Sequence, residues 1–205
     1  MKIQFIDLEP NLQICIIDNI FEEHVKNDIL SEITYLDRYA FFDNDYNKSG
    51  SAFDERGQYL IKNKFTLALD SYFIERDRCS YFKYYKHGVD VIRNNLNTIS
   101  KFWQILLTTD FDSTLLAGYN RAGYYKPHRD SSAITQLYWI NNEPKKFTGG
   151  DLVLSDFNYT IEYKSNRMIL FPGFLKHEVT TIESTEEILN SIDSRFSFST
   201  FYLFK

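Results

Sequence analysis

Apolar positions divide the chain near residue 107 into a half with helical periods and a half with strand periods. In the first half, Leu12-Gln13-Ile14-Cys15-Ile16-Ile17 is a β-branched run that predicts a strand, and Asp18-Asn19 ends it with turn chemistry. Phe21, Val25, Ile29, Ile33 and Leu36 then recur at steps of three or four, which predicts an amphipathic helix, and Asn19 with Glu22 three places on resembles a capping box. From Tyr39 to Lys64 no period survives, although Phe41, Phe42, Phe53 and Tyr59 are set among polar residues and glycines. So long and aromatic a connector, with Gly50 and Gly57 as hinges, predicts a lid over residues 41–64. Helical spacing returns over 67–73, and again through Val89, Ile92, Leu96, Ile99, Trp103 and Leu106, with His87 ahead of it as a surface or capping residue.

Beyond Leu107 the texture is one of short strands at 113–119, 124–126, 134–140, 151–154, 159–163, 167–171, 178–182 and 196–204. Turn signals such as Asn141-Asn142, Gly149-Gly150, Asp156-Phe157-Asn158 and Pro172-Gly173 separate them. Eight short strands in the last hundred residues predict a jelly-roll, cupin-like sandwich whose mouth can hold a ligand. The expected class is therefore α+β and mainly β: one domain over 1–205, with a helical elaboration at 1–110 and the jelly-roll core at 111–205.

Composition narrows the function more than the fold. Hydrophobic residues make up 43% and charged ones 25%, ordinary globular usage, while 17% aromatic content supplies core. A net charge of −5 with scattered Lys and Arg offers no field for a phosphate backbone, which argues against nucleic acid as partner. No run of eighteen apolar residues and no signal-peptide pattern occurs, so no membrane partner and a cytoplasmic location are expected. Two cysteines outside any ligand spacing fit a reducing compartment. Oligomeric state leaves no mark in the sequence.

The chemistry gathers in Lys126-Pro127-His128-Arg129-Asp130. Side chains two apart on an extended strand share a face, so His128 and Asp130 are placed to ligate one ion together. His177, after Phe171-Pro172-Gly173, supplies a third ligand, and two histidines with one carboxylate form the facial triad of Fe(II) oxygen chemistry. An His-x-Asp triplet alone is weak; its company adds the specificity. Gly149-Gly150-Asp151-Leu152, Arg167-Met168-Ile169-Leu170-Phe171-Pro172, His177-Glu178-Val179 and Arg195-Phe196-Ser197 follow in order.

In that order and spacing the segments resemble the prolyl-hydroxylase type of the Fe(II)/2-oxoglutarate-dependent dioxygenase superfamily, over 115–204 and more weakly over 14–33. The resemblance implies a double-stranded β-helix with Fe(II), 2-oxoglutarate and O2, ascorbate as an accessory, and hydroxylation of an unactivated carbon with decarboxylation of 2-oxoglutarate to succinate. It implies His128, Asp130 and His177 as iron ligands and Arg195 as the grip on the distal carboxylate, a bidentate task suited to a guanidinium. It further implies Tyr119 and Tyr138 as tyrosines touching the co-substrate, and Ser197 as the partner of Arg195 on one strand face. Eighteen residues separate His177 from Arg195, because a polar stretch at 183–194 is inserted; Arg167 and Lys176 are the competing cations. Asp130 argues against a halogenase, which would carry Gly or Ala there. The substrate expected is an amino acid, peptide or small molecule, with a protein prolyl or other residue as the alternative. Two other classes compete: a Zn²⁺ hydrolase on the same triad, which leaves Arg195 without a task, and a non-catalytic 2-oxoglutarate-binding jelly-roll.

Overall fold

The computed structural model describes residues 1–38, 45, 51–184 and 193–205. Among these residues ten strands form one curled antiparallel sheet: β1 (Lys2–Glu9), β2 (Leu12–Asp18), β3 (Ile61–Ala68), β4 (Phe111–His128), β5 (Ile134–Ile140), β6 (Leu152–Leu154), β7 (Tyr159–Ile161), β8 (Arg167–Pro172), β9 (His177–Val179) and β10 (Arg195–Leu203). Their order is β1-β2-β8-β5-β10-β4-β9-β6-β7, with β3 also on β4. The long β4 makes the curl. Its first half lies between β10 and β3, its end pairs with β9, and between them Ala122 takes a positive φ of 58°. A sheet that folds over through one bent strand makes a double-stranded β-helix, as the strand count predicts.

Strand alternation sorts the core into two layers. Cys15, Ile17, Tyr138, Ile140, Met168, Leu170, Phe196 and Phe198 face outward onto helices α1 (Glu23–Arg38) and α3 (His87–Asn95), where Ile29, Ile33, Val89 and Ile92 cover them. Their sequence neighbours Ile14, Ile16, Leu137, Trp139, Ile169 and Phe171 face into the barrel. Each large apolar side chain so enclosed contributes roughly 1.5–3 kcal/mol. β3 docks on β4 because Gly118 has no side chain: a Cβ there would meet the Phe65 ring at 2.1 Å.

The structure departs from the sequence expectations in the N-terminal half. β1 is an edge strand whose residues are largely exposed, so no hydrophobic run announced it, though Pro10 followed by Asn11 at φ 66° closes its hairpin with β2. α1 begins at Glu23, and Asn19 takes a φ of 53° where a capping box would need extended backbone. The helix expected over 67–73 is the end of β3 followed by the single turn α2 (Leu69–Tyr72). The helical stripe from Val89 to Leu106 breaks into α3 and a 3-10 helix at Lys101–Leu107, whose cap Ser100 accepts from the Phe102 N–H. Of the lid expected over 41–64, residues 41–44 and 46–50 with Gly50 lie outside the described residues, and 61–64 belong to β3. Residues 185–192 of the polar insertion lie outside them too. No helix among the described residues is long and apolar enough to cross a membrane.

Candidate metal centre and carboxylate site

Pairing of β4 with β9 sets His128 directly opposite His177, and their rings lie 4.3 Å apart between centroids. Asp130 follows the end of β4, where its N–H donates to the Gly173 carbonyl at 2.9 Å. Its carboxylate oxygens stand 3.8 Å from His128 Nε2 and 3.6 Å from His177 Nε2. One ligand atom from each of the three residues falls within 4.8 Å of the others, a spacing that one metal ion can fill. Each imidazole donates its Nδ1–H to the carbonyl two residues back, Lys126 at 2.9 Å and Leu175 at 2.8 Å. That fixes the tautomer and leaves both Nε2 lone pairs turned to the common centre. Burial, joined by the neighbouring His177 and Lys64, pushes His128 down to about 3, so its imidazole stays neutral; the hydrogen bond to the Lys126 carbonyl opposes this. Thr135, fully enclosed, donates to Asp130 Oδ2 at 2.6 Å, and Tyr125 stacks on the His128 ring at 3.6 Å.

The three groups open onto a pocket of about 90 Å3 that also receives Tyr119, Arg195, Ser197 and Lys64. Arg195 is 1% exposed. Its guanidinium carbon lies 5.2, 5.3 and 5.0 Å from the ring centroids of Tyr119, Trp139 and Tyr163, and its Nε donates to the Gly150 carbonyl at 2.8 Å. Nη2 has no hydrogen-bond partner among the described residues. Burial holds its pKa below the usual value for arginine, partly offset by Tyr119, Tyr163 and Asp151. A desolvated guanidinium with an open donor is costly unless an acceptor arrives, and a carboxylate is the acceptor that its fork fits.

Gly150 makes this cradle. It sits at φ 74°, and a Cβ on it would stand 2.8 Å from Arg195 Cδ and 2.9 Å from Nε. Ser197 lies two residues along the same face of β10, buried and lining the same pocket. The rival cations are placed elsewhere. Arg167 pairs both its Nε and Nη2 with Asp18 at 2.5 and 2.9 Å, and Lys176 is exposed. Tyr138 is a correction to the sequence reading: it is not in the pocket. It stands opposite Phe198 on the outward face, against Phe21 and Tyr81, while its neighbours Leu137 and Trp139 point inward.

Sequence reasoning missed Lys64, Thr135 and the task of Gly150. Lys64 is 6% exposed and sits across from Tyr119, which in turn faces Arg195, so one row over three strands carries two cations around a tyrosine. A bulge between Lys62 and Lys64, with Asn63 at φ 48°, turns it inward. Its ammonium lies 5.2 Å from the Tyr125 ring centroid and has no hydrogen bond or ion pair among the described residues. Burial pushes it down to about 8, against the pull of Asp130 and with the push of Arg195.

Residues 114–203 match the family model described as the 2OG-Fe(II) oxygenase superfamily. The fold resembles a prolyl hydroxylase from Trichoplax adhaerens in complex with a peptide fragment of the hypoxia inducible factor oxygen degradation domain (TM-score 0.63, 18% identity, 93% of this chain and 83% of that one). It also resembles a Pseudomonas putida prolyl-4-hydroxylase (TM-score 0.64, 14% identity, 95% and 94%). A third likeness is to the viral collagen prolyl hydroxylase from Paramecium Bursaria Chlorella virus-1 in its 2OG complex (TM-score 0.50, 14% identity, 92% and 94%). No curated protein sequence matches the chain significantly. The segment that matches the 2OG-Fe(II) oxygenase model, 114–203, is the one that forms most of the double-stranded β-helix, and the chain is similar to that superfamily there.

Proposed function

We propose that the chain is an Fe(II)- and 2-oxoglutarate-dependent oxygenase that hydroxylates an unactivated carbon of an amino acid, peptide or small molecule. His128, Asp130 and His177 would hold the iron, and Arg195, with Ser197 and Tyr119 beside it, would hold the distal carboxylate of 2-oxoglutarate. We take residues 1–205 as one domain, the first 110 buttressing the barrel. The residues fit both groups. Two neutral imidazoles and one carboxylate converge as a donor set suited to Fe(II), and the open Nη2 of Arg195 awaits an anion within the same pocket. That shared pocket is the observation that carries the reading, because a metallohydrolase on the same triad would have no use for a buried guanidinium.

When bound, iron and 2-oxoglutarate supply oxidative decarboxylation to succinate and carbon dioxide, coupled to insertion of one oxygen atom into a carbon–hydrogen bond. The chain's own work is placement. Lys126 and Leu175 carbonyls orient the imidazoles, Thr135 orients Asp130, and Arg195 sets the co-substrate's direction from the floor of the barrel. The apolar walls of Leu137, Leu152 and Val179 exclude water from the reacting centre. Release of labelled succinate that requires both iron and 2-oxoglutarate tests the reading, with O2 consumption alongside. Tight 2-oxoglutarate binding without succinate under any iron condition would leave a non-catalytic binder. Because the structural neighbours above are prolyl hydroxylases, a peptidyl proline is the second reading to screen.

A further inference from the structure

We infer that Lys64 selects the primary substrate by its carboxylate, so that the carbon hydroxylated belongs to a free amino acid or to the C-terminal residue of a peptide. The inference rests on the oxygenase reading above and adds the substrate's charge. Among the described residues, three charged side chains beside the two histidines line the pocket, the cations Lys64 and Arg195 against the single carboxylate of Asp130. Fe(II) brings two positive charges and 2-oxoglutarate two negative ones, so loading the site leaves one cation in surplus. Asp151, the other carboxylate whose charge reaches Arg195, does not line the pocket, and its Oδ1 accepts the Tyr163 N–H. An ammonium this enclosed, with no hydrogen bond or ion pair among the described residues, needs an anion to offset its desolvation.

Geometry assigns that anion to the substrate. Lys64 and Arg195 lie on β3 and β10, either side of β4, so their backbones are about two strand spacings, roughly 10 Å, apart. One carboxylate of 2-oxoglutarate is taken by Arg195 and the other end by the metal, which leaves Lys64 as a third corner. It stands on the side of Tyr125, whose ring covers His128 and whose hydroxyl accepts the Ala52 N–H at 2.8 Å. The bulge at Asn63 turns this residue inward: without it the alternation of β3 would aim position 64 away from the pocket side that Ile61 shares.

The test separates this inference from the oxygenase reading. In the full chain loaded with Mn(II) without oxygen, 2-oxoglutarate affinity is measured by calorimetry for wild type, Lys64→Met and Arg195→Met. No binding to wild type removes the oxygenase reading. With binding in place, free L-amino acids, their amides, and dipeptides with free or amidated C termini are titrated into the Zn(II)-loaded, 2-oxoglutarate-saturated protein. The readout is the Lys64 ¹⁵Nζ resonance, assigned by its loss in Lys64→Met. Carboxylate probes should move it, their amides should bind about ten- to a hundred-fold more weakly, and Lys64→Met should weaken the acids alike in a calorimetric titration. Free amino acids responding without dipeptides, or the converse, identifies the source of the carboxylate. Amides that bind as well as acids, or no response to any carboxylate at tens of millimolar, overturn the inference. So does a Lys64→Met protein that loses 2-oxoglutarate as severely as Arg195→Met, since Lys64 would then serve the co-substrate.

Discussion

Arg195→Met should weaken co-substrate binding by one to several orders of magnitude while scarcely touching the stability of the metal-free fold. The side chain removed is a fully enclosed cation with an unused donor, caged by Tyr119, Trp139 and Tyr163. Its loss forfeits one charge-assisted hydrogen bond to Gly150, about 1.5–3 kcal/mol, and cation–π contacts of about 0.5–1 kcal/mol or more each. Against that stands relief from burying an unpaired charge, several kcal/mol, and a methionine that packs well among rings. These nearly cancel, so stability should stay within about 2 kcal/mol of wild type, a Tm change of no more than about 8 °C for a chain of this size. Binding behaves differently. Truncating one partner of a buried charge pair costs about 2–5 kcal/mol, a loss of roughly thirty- to several-thousand-fold in 2-oxoglutarate affinity. Thermal unfolding with and without ligand reads both quantities: at a hundred times the wild-type Kd, 2-oxoglutarate should stabilise wild type by about 2.7 kcal/mol and the variant by no more than about 0.9 kcal/mol at the same concentration. A variant that melts far below wild type yet keeps its ligand-dependent shift would make Arg195 a structural residue and refute the assignment.

Asp130→Ala should stay folded by circular dichroism, lose metal in equilibrium dialysis and release no succinate, because Asp130 is a part-exposed proposed ligand just past the end of β4 and not a core side chain. Thr135→Val keeps shape but removes the hydroxyl that orients Asp130, and metal affinity should fall about ten- to a hundred-fold. Gly150→Ala forces a side chain into Arg195 at a positive φ, so it should lower stability by about 2–5 kcal/mol and weaken 2-oxoglutarate together, whereas iron affinity should hold. In metal-free protein, His128 titrates near 3 when folded and near 6.5 when unfolded. The unfolded chain therefore binds the extra proton between those values, and stability should fall as pH drops through that window, by up to about 1.4 kcal/mol per pH unit for this group. Denaturant unfolding of wild type and His128→Asn at several pH values should show the slope reduced in the variant.

What the sequence made legible was local. The period of two along a strand set His128 and Asp130 on one face; they do converge, although Asp130 lies just past the end of β4, and the eight C-terminal strands are all present within a few residues, 113–119 and 124–126 running together as β4. The errors come from contacts that no local pattern carries. Tyr138 was placed in the pocket, yet which face of β5 looks inward depends on its pairing with β10 and β8, a tertiary matter that put Leu137 and Trp139 inside. The stretch around Lys64 alternates polar and apolar residues, Lys64-Phe65-Thr66-Leu67, but Leu69 and Phe73, four apart, satisfy a helical spacing, and 67–73 reads as a helix. Even read as a strand, it would have sent Lys64 to solvent, because a polar face is ordinarily the wet one. Here the polar face of β3 lines the barrel, and the apolar Phe65 packs outward over Gly118 toward the helix-covered layer. An enclosed charge without a protein partner marks where a ligand can complete the packing, unlike buried Gln136 or Asn166, whose partners are in the protein, and no local pattern distinguishes the two cases. A motif singles out Arg195, and it does line the pocket; Lys64 has no motif, and its enclosure across from Tyr119 is what brings it to the same pocket.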